Sequence, residues 1–240
     1  MIYAARSVTG KRANNEDSVF VPKGGEISLA IVADGMGGHS AGNVASAIAV
    51  ETVASELKKG GQGSPAALVT NAVNHANTAI YEYAKAHPEC RGMGTTLVMA
   101  LLFNTRFIAA NVGDSRLYHY HVGKLRQVTV DHSYVAELVA SGYITKEEAA
   151  RHPRRNLITR ALGTQACERV DLFECEWEAG DVLLLCSDGL YSELEDRDLV
   201  RALEKNNTLD DACAALVELA LASGSRDNVS VVLVKNGEVL

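Results

Sequence analysis

Four aspartates stand where strongly apolar runs meet turns: Asp34 closes ISLAIVAD, Asp114 follows FIAANVG, Asp188 follows VLLLCS and Asp227 precedes NVSVVLV. For any one of them, the preference of aspartate for turns is explanation enough. Four together are harder to assign to turns. Antiparallel strands set the end of one beside the start of the next, and so could gather all four on one rim. Carboxylates gathered in this way repel one another and take up protons unless a cation neutralises them. The set is all hard oxygen, with no paired Cys or His, which points to Mg2+ or Mn2+ rather than zinc. Asn15-Glu16-Asp17 adds further carboxylates that could orient water on such an ion. Arg12 has the planar fork for a bidentate phosphate contact, the plainer alternative being a solvated loop arginine.

The elements that would carry these residues follow from hydrophobic periodicity. ISLAIVAD (27–34) reads as a buried strand. Residues 41–57 and 66–84 repeat apolar side chains at helical spacing and predict a helical hairpin. Strand candidates follow at 95–102, 106–112, 116–122 and 124–130, with connections so short that antiparallel hairpins are expected throughout. The segment 133–163 breaks the pattern. It holds a helix at 134–140, a Thr145–Glu148 capping box and the basic stretch RHPRRN, and reads as an insertion. Strands at 170–177, 182–187 and 228–234, a second capping box from Ser192 to Glu195 and a helix at 209–222 complete the chain. Helices flanking a mostly antiparallel sheet system give an α+β class.

Composition narrows the function classes. The 240 residues are 47% hydrophobic and 22% charged, with a net charge of −7, so general nucleic-acid binding is not expected. No apolar run reaches the ~18–20 residues of a membrane span, and no secretory signal is visible. The five cysteines lack CxxC spacing and read as reduced thiols of a cytoplasmic protein. Rival motifs fail: GMGGHSAG has Ser40 where a dinucleotide loop needs glycine, and there is no phosphate-loop GxxxxGK[ST] or GxSxG elbow. Asp131-His132-Ser133 reads as polar capping of the helix that follows.

Seven motifs in order carry a family resemblance: RANNED (12–17), VADGMGGHSAG (32–42), GMGTT (92–96), NVGDSR (111–116), VTVDHS…TRALG (128–163), CSDGL (186–190) and SRDNVS (225–230). The chain resembles bacterial metal-dependent PPM (PP2C-like) serine/threonine protein phosphatases along nearly its whole length. The resemblance implies a four-layer α-β-β-α sandwich, two antiparallel sheets flanked by helix pairs. It also implies a single phosphatase domain over 1–240, with a flap at about 133–163. Two tightly bound Mn2+ or Mg2+ ions are implied, with a weaker third. Asp34 would bridge the pair, with the Gly35 carbonyl completing one site, and Asp188 and Asp227 would hold the other ion. Glu16 and Asp17 would act through metal-bound water, Asp114 would join Asp188 at the third ion, and Arg12 would bind the substrate phosphate.

The activity implied is hydrolysis of phosphoserine and phosphothreonine in proteins by in-line attack of a metal-bridging hydroxide. Phosphoprotein substrates, an opposing bacterial Ser/Thr kinase and a monomeric state are expected with it. One position departs from the pattern. Animal relatives carry a histidine directly after the Asp-Gly pair, where this chain has Met36; the nearest substitute as general acid is His39, with water as the alternative. Two rivals stay open: a scaffold that keeps the fold without catalysis, and a metal-dependent hydrolase of small phosphoesters.

Overall fold

The computed structural model describes residues 1–24, 27–37 and 41–237. Its strands are β1 (Ile2–Val8), β2 (Asp17–Phe20), β3 (Leu29–Met36), β4 (Gly94–Thr95), β5 (Leu97–Leu102), β6 (Arg106–Val112), β7 (Arg116–His121), β8 (Lys124–Gln127), β9 (Asp171–Glu176), β10 (Val182–Cys186) and β11 (Val229–Lys235). The helices are α1 (Ala41–Lys59), α2 (Pro65–Ala86), α3 (Tyr134–Ala140), α4 (Lys146–Ala150), α5 (Asp188–Tyr191), α6 (Asp196–Lys205) and α7 (Leu209–Ser223). One sheet runs β1-β11-β10-β7-β8 and the other β2-β3-β5-β6-β9, with β4 paired to β3. Every pairing is antiparallel.

Strand alternation builds the layers. Ala30 and Val32 of β3 face the other sheet, where they join Val98, Ala100, Phe107, Leu117, Leu183, Leu185 and Val232 in the central core. Their neighbours Leu29, Ile31 and Ala33 face outward onto Ala45, Ala49 and Val53 of α1 and Val69, Val73 and Ile80 of α2. On the opposite side Leu184, Cys186, Val231 and Leu233 take Leu199 of α6 and Ala212, Leu216 and Ala220 of α7. Both faces of each sheet are therefore covered, which is why ISLAIVA and VLLLC read as continuous apolar runs rather than alternating ones. The result is an α+β sandwich of four layers.

Local signals set the helix ends. Ser64 accepts from Ala67 N–H (3.2 Å) ahead of Pro65, and Thr208 accepts from Asp211 N–H (3.1 Å). The Thr145–Glu148 capping box is present. The second expected box is not: Ser192 closes α5, and the box that opens α6 runs from Glu195 to Asp198. Its acceptors are carboxylates one turn later, a variant that the Ser/Thr-based pattern does not detect.

β6 and β7 do not form a hairpin; residues 113–115 carry the chain from one sheet to the other. Short connections force antiparallel pairing only within a sheet, and here the link spans the two layers instead. Asp114 is thereby set on the rim where the sheets meet. Among the described residues, no helix is long and apolar enough to cross a membrane.

Candidate active site

Asp34 and Asp17 are register partners on β3 and β2. Behind them Thr96 fixes the backbone: its Oγ1 accepts from Asp34 N–H (3.0 Å) and its N–H donates to Asp34 O (2.8 Å). Gly35 follows because the chain is crowded there. A Cβ at this position would come within 2.1 Å of Gly42 O and 2.6 Å of Glu16 O, and Gly35 N–H donates to Glu16 O at 3.1 Å. The Glu16 carboxyl lies against Gly42 in the first turn of α1, where a helix N-terminus favours negative charge.

From the other sheet, β10 delivers Asp188 and β11 begins just after Asp227. Ser187 N–H donates to Ser230 O (3.1 Å), and a Cβ on Gly189 would meet Asn228 O at 2.0 Å, so the Asp188 and Asp227 turns are packed backbone to backbone. Asn228 ties in the Arg12 loop: Oδ1 accepts from Glu16 N–H (2.8 Å), while Nδ2 donates to Thr9 O and Asn14 O (both 2.9 Å). The motif SRDNVS contained Asn228, but its side-chain role depends on a long-range loop that spacing does not reveal. The contacts of Thr96, in GMGTT, to Asp34 are likewise long-range and invisible to spacing.

Arg12, Glu16, Asp34, Gly35, Asp114, Asp188 and Asp227 line one cavity of about 450 Å3, which Asn156 and Ile158 of the 133–163 segment also border. Asp17 lies behind this surface, its Oδ2 accepting from Ser187 Oγ at 2.7 Å. Arg12 Nη2 donates to Asp227 Oδ2 at 2.7 Å, and among the described residues Arg12 is the one basic side chain on the lining. His39 lies outside the described residues.

Electrostatics at the rim are severe. Burial, then the charges of Asp17, Asp188, Asp114 and Asp227, holds Asp34 well above the ordinary carboxylate range. Burial likewise lifts Asp17 and Asp188 to about 6 and Asp114 to about 7, with neighbouring aspartates adding to each. Asp17 Oδ1 and Asp188 Oδ1 are buried without a hydrogen-bond partner. Unpartnered buried oxygens, all hard donors, in a cluster that resists ionisation fit a divalent cation in type and charge. Among the described residues, no three such side chains form a closed ligand group, so the fit rests on donor chemistry and not on a preformed shell.

Asp131-His132-Ser133 does more than cap a helix. Ser133 does cap α3, accepting from Ala136 N–H at 3.3 Å. Asp131 instead receives a forked contact from Arg116 (Nε 3.0 Å, Nη2 2.7 Å), and the Arg116 guanidinium stacks 3.6 Å from the Tyr191 ring centre. His132 Nδ1 accepts from Gly113 N–H (3.0 Å), which places the ring proton on Nε2, facing Asp171 Oδ2 at 3.2 Å. Arg160, whose Nη1 lies 2.8 Å from Nε2, shares that carboxylate. The base of the 133–163 segment is clipped to the site by Ser133–Ile158 and Thr95–Leu162 bridges, while α3 and α4 bury no residue.

The same chain and fold have close counterparts among known proteins. Residues 6–223 match the family model for protein phosphatase 2C. The serine/threonine phosphatase stp of Listeria monocytogenes is 39% identical over 235 residues, covering 93% of this chain and 91% of its own length. The crystal structure of the Mycobacterium tuberculosis serine/threonine phosphatase PstP/Ppp superposes with a TM-score of 0.92 at 41% identity, covering 99% of each chain. The catalytic domain of PstP in complex with two manganese ions gives 0.86 at 41% identity, over 97% of this chain and 96% of that one. With a family model matched over most of its length and relatives at about 40% identity over nearly the whole chain, this chain belongs to the protein phosphatase 2C (PPM) family.

Proposed function

We infer that the chain is a metal-dependent protein serine/threonine phosphatase working at the Asp34 rim. The observation that carries this reading is the convergence, in one cavity, of Asp34, Asp114, Asp188 and Asp227 from both sheets beside Arg12. Asp34 with the Gly35 carbonyl, and Asp188 with Asp227, would hold two divalent cations, Mn2+ or Mg2+; Asp114 and Asp188 would hold a weaker third. Glu16 and Asp17 would orient water around them. When bound, the cations supply Lewis acidity and a water of lowered pKa as nucleophile.

The chain's own residues bind and aim the substrate. The Arg12 side chain is 59% exposed, so it can exchange the Asp227 carboxylate for a phosphoryl group and present two parallel N–H donors to it. Thr96 and Ser115, joined at 2.7 Å, keep Asp34 and the Asp114 turn in fixed relation. Residues 133–163 act as a flap over a single phosphatase domain spanning 1–240. The reading extends to a cytoplasmic monomer that acts on a Ser/Thr kinase and its targets.

Initial rates on phosphoserine, phosphothreonine and phosphotyrosine peptides, set against small phosphoesters, test the substrate class. Preference for the first two peptides supports the reading. Higher kcat/KM on small phosphoesters than on any peptide would replace it with a small-molecule phosphatase.

A further inference from the structure

Beside the catalytic cavity, segment 151–157 borders a second, open depression of about 710 Å3 lined in part by Arg151, Arg154 and Arg155. Asn156 lines both hollows, so the two are neighbours across one side chain. The arginines nearer the rim are already paired: Arg12 with Asp227, Arg116 with Asp131, Arg160 with Glu168 and Asp171. Among the described residues, no carboxylate pairs with Arg151, Arg154 or Arg155, and all three are exposed.

The loop that presents them is internally tied. Arg154 N–H donates to His152 Nδ1 (3.1 Å), Arg155 N–H to His152 O (3.1 Å) and Arg155 Nη1 to Ala150 O (3.3 Å), while the Arg154 guanidinium sits 5.7 Å from the Tyr134 ring centre. Three cations are thus gathered at a defined place on a protein whose net charge is −7. Guanidinium forks recognise phosphate and carboxylate in preference to other groups.

We propose that this depression is an anion subsite for the substrate chain, taking a second phosphate or a carboxylate a few residues from the phosphorylated residue held at the Asp34 rim. The proposal rests on the phosphatase reading of that rim. It makes acidic or multiply phosphorylated segments the preferred substrate class. An exposed charge pair changes affinity a few-fold, so two arginines acting together give about tenfold.

A phosphothreonine peptide series tests it. Each peptide carries Ala, Glu or a non-hydrolysable phosphonate side chain at one position from about four residues before to four after the phosphothreonine. In the wild-type protein, kcat/KM rises about tenfold for phosphonate over Ala at one or two positions, and less for Glu. In Arg154→Ala/Arg155→Ala that ratio falls to about twofold or below. In Arg154→Glu/Arg155→Glu the order inverts, which a merely misfolded flap cannot produce. A wild-type ratio near one at every position, or a full ratio kept in the alanine variant, overturns the subsite and leaves the phosphatase reading standing. Failure to hydrolyse even the Ala peptides with Mn2+ present would remove both.

Discussion

His132 grips Gly113 from both sides: its backbone N–H donates to Gly113 O at 2.9 Å, and its Nδ1 accepts from Gly113 N–H at 3.0 Å. The turn so held passes between the two sheets and carries Asp114. Because Thr159 N–H donates to His132 O at 2.9 Å, the same residue joins the end of the 133–163 segment to the Asp114 turn.

Losing the His132 acceptor leaves a buried Gly113 N–H unpaired, which costs about 1–3 kcal/mol. His132→Ala is expected to lower the urea midpoint accordingly and to raise the Mn2+ concentration needed for half-maximal activity. His132→Asn, whose Oδ1 can take the place of Nδ1, should recover much of both. Equal loss in the two variants would show that ring volume, not the acceptor, matters.

Two histidines should be shifted to opposite sides of the ordinary imidazole value. Burial holds His132 below its ordinary 6.5, with Arg160 adding to the effect against Asp171. His121, bonded through Nδ1 to Asp181 Oδ1 at 2.6 Å, is held above 6.5 by that carboxylate. A depressed histidine binds protons more readily when unfolded, so the His132 contribution is full above pH 6.5 and fades as pH falls below it. The His121 contribution has the reverse sign: it is present below pH 6.5 and lost as pH rises through the folded value. NMR titration of the imidazole signals checks the order. His132 titrating above His121 would contradict the network described.

Much of this was legible in the sequence. The apolar runs before Asp34 and Asp188 are continuous because both sheet faces are covered, and they reveal the strands and their carboxylates, although β3 runs on past Asp34 to Met36. Apolar spacing gives the helix pair at 41–57 and 66–84; the structure extends it to Ala41–Lys59 and Pro65–Ala86, with Ser64 capping the second helix ahead of Pro65. What spacing could not show was contact between distant segments. Asn228 reaching Thr9 and Asn14, His132 gripping Gly113 and Asp17 bonding Ser187 all join residues remote in the chain. The cross-sheet passage at 113–115 was hidden for a related reason: a tight link looks the same whether it reverses within one sheet or bridges two.

Arg12 contributes to kinetics and not to stability. Its pair with Asp227 is exposed, at 59% and 37% of the two side chains, and such pairs are worth about 0–1 kcal/mol. Arg12→Ala should leave the melting temperature nearly unchanged while raising KM for a phosphopeptide more than it lowers kcat. The reverse split would move Arg12 from holding the phosphate to stabilising the transition state.

The carboxylate cluster trades stability for function. Asp17, Asp114 and Asp188 are raised to about 6, 7 and 6 from 3.8, so the folded protein binds protons more tightly than the unfolded chain there. Their ionisation costs stability as pH rises from about 4 to 7. In EDTA, Asp34→Asn removes a carboxyl that the fold must either bury charged or protonate, and should raise the melting temperature by about 2–6 °C at pH 7.5, and by less at pH 5. A lower melting temperature at pH 7.5 would mean that the Asp34 carboxylate is held by favourable contacts and is not strained by its neighbours.

Phosphate release from a phosphothreonine peptide, measured for wild type and Asp34→Asn with Mn2+ and with EDTA, tests the central claim most directly. Turnover is expected only for the wild type with Mn2+, with Asp34→Asn reduced at least about a thousandfold. Full activity of the wild type in EDTA, or near-wild-type activity of Asp34→Asn, would contradict a metal-dependent centre built on this rim.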